Sequence, residues 1–288
     1  MVTVGGLIEH SQERYLAAFT SFVAALETSQ EHYRLSYGSK VPDSTLCEAG
    51  TDVRVLGIGS GSGGIDIVIL KKLLQRHNSM YNRVVEPSEE MIERYKTLVR
   101  GDTSLGAVKF DWRQQTAEEY FKTKEDTKFH LIHAVHVLYH VDDPYATLRD
   151  MWEQLADGGC MLVAMESDKS DWGNLGHKLK DTFGQGDHDH LKRSFRMSGD
   201  VKQWLDTAGI SYVTAEDENN INVTECFKED SEAGRLLLDF LTNTPHVTNE
   251  PQITAVVLEY IRCNSSVVDD RILLKSVNEV IVAFKKCT

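Results

Sequence analysis

Between about residues 52 and 165, short apolar runs alternate with amphipathic stretches. The runs VRVLGI, RVVEP, AVKFDW, HLIHAVHVL and CMLVAM are β-rich. Between them lie a segment through Leu70 to Gln75, then SEEMIERYKTLV, TAEEYF and YATLRDMWEQLA, each with apolar residues at helical spacing. Strands and helices alternating in this way predict βαβ units and an α/β fold, with a mostly parallel central sheet flanked by helices. Ligands of such sheets lie beyond the carboxyl ends of the strands, where the strand order reverses.

Outside that block the pattern turns helical. Residues 10 to 35 predict one or two amphipathic helices with Tyr15, Phe19 and Phe22 on one face, because spacings of three and four bring side chains together. GNLGHKLKDTF, GDVKQWLDTAG, EAGRLLLDFLT and ITAVVLEYIRC predict four more helices. ISYVTAE and LLKSVNEVIVAF read as late strands, the second antiparallel to the rest. The expected segments are an N-terminal helical part (1–50), a core (51–168), a helical insertion with a late strand (169–265) and a C-terminal strand completing the sheet (266–288).

Charge narrows the partners. Against 31 Lys+Arg stand 44 Asp+Glu, a net charge of −13, so nucleic acid would meet long-range repulsion and a small neutral or cationic ligand fits better. No segment approaches a membrane span, and MVTVGGLIEHSQERY has neither a basic start nor a signal-length apolar run, which leads to the expectation of a cytoplasmic protein. Five scattered cysteines, Cys47, Cys160, Cys226, Cys263 and Cys287, form no C-x-x-C pair and read as reduced thiols. The run Gly186-Asp-His-Asp-His190 lacks a closed ligand set and is assigned to a mobile lid loop, so no metal is expected.

The chemistry concentrates in VRVLGIGSGSGGIDIVIL, where five glycines from Gly57 to Gly64 join the first strand to the first helix. Without Cβ atoms, such a loop lets backbone amides approach a ligand closely. Gly59, Gly61 and Gly64 meet the dinucleotide fingerprint, while Gly59, Gly61 and Gly63 meet the looser pattern of S-adenosylmethionine sites, so the loop alone leaves both open. Glu86, twenty-seven residues after Gly59 at the end of the second strand, is placed to accept hydrogen bonds from ribose hydroxyls.

The later half of the block decides between them. KFHLIHAVHVLYHVDDPYATLRDMWEQLADGGCMLVAM, with the turn Leu155-Ala-Asp-Gly158-Gly159, resembles class I, Rossmann-like methyltransferases, which use S-adenosylmethionine and release S-adenosylhomocysteine. VVEPSEEMIERYK, VKFDWRQQTAEEY, LYHVDDPYATL and LLLDFLT, with Tyr15 and Phe19, resemble the histamine N-methyltransferase family from about residue 10 to the C-terminal strand. The resemblance implies a monomeric cytosolic enzyme that methylates a ring nitrogen of a small imidazole amine. Its substrate site would be built from the N-terminal helix and the insertion, which acts as a lid.

Carried over by position, the cofactor site comprises Gly59, Glu86, Met91, Ala117 and Val135, with Ser60, Gly61 and Gly63 in the loop and Pro87, Thr116 and His136 alongside. The family has glutamine at Met91 and serine at Ala117. On the acceptor side, Tyr15, Phe19, Trp172 and Phe240 match an aromatic wall able to hold a flat ring or a cation. Glu31, with Glu27 as the alternative, matches the family's substrate carboxylate. His136 stands for an amide, His140 for a tyrosine, Ser276 for an asparagine, and Glu166 where the family is apolar. His136 and His140 are candidates to take a proton from the acceptor or only to hydrogen-bond it, whereas His133 reads as a satisfied core histidine. Glu31 and Glu166 would bind the acceptor's cationic end. These departures leave three other readings open: a different small acceptor, a nicotinamide enzyme, and a cofactor-binding protein without catalysis.

Overall fold

The computed structural model of the protein describes residues 6–42, 52–184, 191 and 196–286. The run Gly186 to His190 and the thiols Cys47 and Cys287 lie outside them. The chain divides into two compact units, each gathered from separated stretches: a helical unit of Met1–Gln30, Glu166–Met197 and Glu216–Asn278, and a core unit of Glu31–Met165, Ser198–Ala215 and Glu279–Thr288. Helix 30–40 and helix 198–207 thus fall with the core, which the expected segment boundaries did not anticipate.

Eight strands are formed among the described residues: β1 (Val53–Ile58), β2 (Met80–Val85), β3 (Val108–Arg113), β4 (Phe129–Val135), β5 (Leu155–Glu166), β6 (Tyr212–Asn222), β7 (Ser265–Val268) and β8 (Arg271–Phe284). Their order is β3-β2-β1-β4-β5-β8-β6, with β7 paired to β8. The first five are parallel. β8 runs against β5, since Gly158 bonds Lys285 while Ser167, just past the end of β5, bonds Val277, earlier in β8. It also runs against β6, as the bonds Phe284 to Ser211 and Val223 to Ile272 require. Chain order reverses between the neighbours β1 and β4, so their carboxyl ends flank the ligand crevice of this topology.

Alternation along each central strand feeds two apolar layers. Leu56, Ile58, Ile132, Ala134, Met161, Val163, Ile281 and Ala283 face one way and meet Leu148 and Met151 of helix Pro144–Gln154 and Leu205 of helix Ser198–Thr207. Val53, Val55, Leu131, Leu162, Ala164, Val280 and Val282 face the other and meet Ile69, Leu70 and Leu73 of helix Gly64–Leu74. Burial on both faces explains why these strands read as continuous apolar runs. Each fully buried aliphatic side chain contributes about 1.5–3 kcal/mol.

In the helical unit, helices Gln12–Ala25, Asp171–Phe183, Glu232–Thr242 and Pro251–Asn264 surround Phe22, Leu175, Leu179, Leu237, Leu241, Val257 and Ile261. The buried Asp239 carboxylate fastens two of them. It accepts from Arg14 Nε at 2.6 Å and from the amides of His246 and Val247 at 3.0 and 2.9 Å.

Two local features differ from the sequence reading. β7 was not foreseen: it forms a hairpin with β8 through Asp269 and Asp270, whose φ values of 48° and 60° are those a tight two-residue turn needs. Asp-Asp supplies them less readily than Asn-Gly, so the turn signal is weak. The LADGG stretch is not a free turn but an irregularity within β5, where pairing jumps from Phe129 opposite Leu155 to Leu131 opposite Cys160. Gly158 takes φ 73° there, and a Cβ on Gly159 would lie 2.8 Å from the His130 carbonyl and 3.0 Å from that of Ala156. Gly159→Ala is therefore expected to cost on the order of 1–3 kcal/mol in urea denaturation. Gly101→Ala, which meets nothing nearer than 3.6 Å, should stay within about 0.5 kcal/mol of the parent.

Candidate functional site

The glycine loop leaves β1 at Ile58 and enters helix 64–74 at Gly64. Gly59 donates to the Val85 carbonyl at 2.8 Å and Gly63 to that of Ser60 at 3.1 Å. Gly59, Gly61 and Gly63 adopt φ of 63°, 54° and 78°, a region costly for residues with a Cβ. Their surroundings differ. A Cβ on Gly59 would lie 2.2 Å from Val137, and one on Gly63 2.1 Å from the Tyr95 ring, whereas Gly61 faces open space. The outer glycines let the loop pack tightly; the middle one presents backbone to a ligand.

Glu86 completes this cradle. It is buried at the end of β2, with one carboxylate oxygen accepting from the Gly61 amide at 2.9 Å and the other from the Ser88 amide at 3.0 Å. Burial pushes its carboxyl above the ordinary value; the two amides oppose this and the charge of Asp66 adds to it. Two amides use half of a carboxylate's roughly four acceptor positions, leaving the others for ribose hydroxyls. The open glycine edge and the carboxylate beside it fit an adenosine-type cofactor.

The remaining cofactor candidates lie at neighbouring strand ends. Pro87 is exposed, and Met91 is half-buried in the first turn of helix Glu89–Arg100, its amide on Ser88 Oγ at 3.3 Å. Thr116 caps helix Ala117–Lys122 in a reciprocal box with Glu119, and Ala117 is buried as the first helical residue. Val135 ends β4. Ser60 turns its hydroxyl inward, toward Gly57 and Asp66.

His136 follows Val135 with φ 53° and donates its amide to Ala164 at 2.9 Å. Its Nε2 lies 3.0 Å from the Tyr33 hydroxyl and 2.8 Å from that of Tyr37, and Nδ1 lies 3.4 Å from that of Tyr139. Tyr37 also donates to Tyr33 at 2.9 Å. Desolvation among these rings pushes the imidazole down to about 4, so it is neutral at physiological pH. The two tyrosines of helix Gln30–Lys40 escaped the sequence reading; their four-residue spacing on one helical face was the available signal. His140 is exposed in the turn beyond. His133 is buried but, contrary to expectation, its Nε2 has no hydrogen-bond partner.

Within the helical unit the expected aromatic wall assembles. Ring centroids are 6.3 Å apart for Tyr15 and Phe19, 5.8 Å for Phe19 and Phe240, and 6.0 Å for Trp172 and Phe240; Phe22 joins at 4.5 Å from Phe240. Trp172 Nε1 donates to the Leu241 carbonyl at 3.1 Å, which fixes the indole. Phe19 is 40% exposed, unusual for so large a ring.

Glu166 and Ser276, both carried over from the family resemblance, touch. One Glu166 oxygen accepts from Ser276 Oγ at 2.9 Å, from the Val277 amide at 3.1 Å and from Ser170 Oγ. Burial nevertheless raises this carboxyl to about 7. Glu31, expected to face the acceptor, is exposed in the first turn of its helix, and Glu27 is ion-paired with Arg271. Among the described residues, no cluster of His, Cys, Asp or Glu is disposed to hold a metal, and no helix is long and apolar enough to cross a membrane.

The chain is similar to known proteins. A family profile described as a methyltransferase domain matches residues 8–215. Histamine N-methyltransferase of Cavia porcellus is 33% identical over 258 residues, covering 85% of this chain and 86% of its own. The Danio rerio histamine N-methyltransferase is 34% identical over 285 residues, covering 93% and 94%. In fold, the chain resembles the YcgJ protein of Bacillus subtilis, with a TM-score of 0.56 at 17% identity, covering 89% of this chain and all of that one. The fold is thus the class I, Rossmann-like methyltransferase sheet, and the nicotinamide reading left open by the glycine loop falls away. The chain belongs to the histamine N-methyltransferase family, and its cofactor is S-adenosylmethionine.

Proposed function

We propose that this methyltransferase transfers a methyl group to a nitrogen of a small amine, histamine or a related imidazole amine, acting as a cytoplasmic monomer. The observation that carries this reading is the wall of Tyr15, Phe19, Phe22, Trp172 and Phe240, whose π-faces suit a flat or cationic ring. It occurs in a chain whose relatives are named for histamine methylation.

S-adenosylmethionine, when bound, supplies a methyl group on an activated sulfonium. What the chain must add is alignment and a neutral nucleophile. Within the core unit, Glu86 and the open backbone edge at Gly61 would hold the cofactor's ribose side; within the helical unit, the aromatic wall and Glu166 would each suit an acceptor's ring and cationic end. A carboxyl poised near 7 can meet an ammonium group as a carboxylate and remain neutral without one, which lessens the cost of burying a charge. His136 is too weak a base near pH 7 to accept the acceptor's proton, so its part is to orient the acceptor through a neutral ring fixed by tyrosine hydroxyls. Proton removal falls to the exposed His140, with solvent at hand.

Incubation of the purified protein with S-adenosylmethionine and a panel of imidazole, indole and aliphatic amines should yield S-adenosylhomocysteine with at least one imidazole amine. Tight cofactor binding with silence across the panel would instead favour a non-catalytic cofactor-binding protein. His140→Gln and His136→Gln should each lower kcat/KM by about tenfold while S-adenosylhomocysteine affinity stays at the parental value.

Glu166 makes a separate prediction for stability. Its carboxyl titrates near 7 when folded against a model value of 4.5, so between those values the folded state holds the extra proton. Stability must then fall as pH rises from about 4.5 to 7 and level off above. Glu166→Gln should flatten this slope, removing on the order of 3 kcal/mol of pH dependence in denaturant titrations.

A further inference from the structure

Behind the glycine loop lies a polar cluster that the chemistry above does not use. A Cβ at Gly57 would sit 2.4 Å from Ser60 Oγ, 2.8 Å from Asp66 Oδ2 and 2.9 Å from His133 Cε1, so three polar side chains converge on a backbone position that only glycine leaves free. Asp66 and His133 are 3% and 1% exposed. Asp66 Oδ2 and His133 Nε2 stand 3.8 Å apart, beyond a hydrogen bond but within ion-pair reach. The Tyr95 hydroxyl approaches from helix 89–100, close to Asp66 and to Asn82 on β2.

Six buried atoms here, Ser60 Oγ, Asp66 Oδ2, Tyr95 Oη, His133 Nε2 and both amide atoms of Asn82, have no hydrogen-bond partner in the protein. One such atom costs about 1–3 kcal/mol when left dry, so a cluster of them calls for bridging by internal water, to which polar groups at these separations are suited. The cluster joins every element that shapes the cradle. Ser60 belongs to the loop, Asp66 to the helix that the loop enters, Asn82 to the strand that ends in Glu86, Tyr95 to the ring packed on Gly63, and His133 to β4.

We propose that Asp66, facing His133 and Tyr95, is a positioning residue for cofactor binding: the cluster latches the glycine loop from behind and couples its charge to the Glu86 carboxylate in front. Burial raises the Asp66 carboxyl, while the charge of the facing imidazole draws it back. The charge of Asp66 in turn raises Glu86. Other charged groups bear on the same place. Arg34 of helix 30–40 reaches the start of helix 64–74, where a Cβ on Gly64 would lie 2.9 Å from its Nε, and Glu86 closes the end of β2.

The latch concerns the cofactor alone and stands whatever the acceptor proves to be, so it is tested by S-adenosylhomocysteine binding and not by turnover. In calorimetric titrations from pH 5 to 8, Asp66→Asn should weaken binding about tenfold at pH 7.5. It should also move the acid limb of binding, set by Glu86, to lower pH, because a neutral residue no longer raises that carboxyl. Tyr95→Phe keeps the ring against Gly63 and removes only the hydroxyl; it should weaken binding severalfold with a melting temperature close to the parent. In both variants without ligand, backbone amides of residues 59–64 should exchange with deuterium faster than in the parent, while strands β1 and β4 do not. Parental affinity, an unmoved acid limb and unchanged loop exchange in Tyr95→Phe, or in a folded Asp66→Asn protein, would overturn the proposal and leave the cluster a packing feature.

Discussion

The site depends on how closely backbone can approach its neighbours at the ends of β1 and β2. Gly59 lies against Val137 and Gly63 against the Tyr95 ring at distances no side chain could share. These two contacts fix the loop between β4 and helix 89–100, and only then does Gly61 stand free beside Glu86. A looser loop would leave the same carboxylate buried without the Gly61 amide, at a penalty that desolvation makes large. Tight packing at the outer glycines and ligand access at the middle one are therefore a single constraint.

Desolvation shifts two buried titratable groups, His136 and Glu166, in opposite directions. It lowers the His136 imidazole and raises the Glu166 carboxyl, so each leans toward its uncharged form. Hydroxyls attend both: tyrosines around the imidazole, serines around the carboxylate. An uncharged, hydrogen-bonded imidazole can orient a ligand without competing with a cationic one. The carboxyl, poised near neutrality, can respond to the charge of what it meets.

Much of this was legible in the sequence, for physical reasons that also explain what was missed. Central strands buried on both faces announce themselves as apolar runs, and a glycine loop followed at the right interval by Glu86 marks the crevice of a parallel sheet. The aromatic wall was legible through helical spacing at Tyr15 and Phe19, with Trp172 and Phe240 supplied by resemblance. Tyr33 and Tyr37 were not, because their meeting with His136 depends on where a polar helix docks. The bond between Ser276 and Glu166 spans 110 residues, and no local pattern encodes it. Glu31 shows the opposite failure: a carboxylate of the right type near the right place, turned to solvent by the phase of its helix.

The clasp between Arg14 and Asp239 joins positions 225 residues apart. During synthesis the N-terminal helix leaves the ribosome long before the carboxylate that will hold it. At roughly 5–20 residues per second, that wait lasts on the order of ten seconds or longer. Meanwhile the apolar face of Ala18 and Phe22 has none of its later neighbours, so the early chain must remain unpaired or be shielded by cellular factors until the insertion emerges. In the helical unit, vectorial growth thus sets the order of assembly: a helix made early is among the last to be secured.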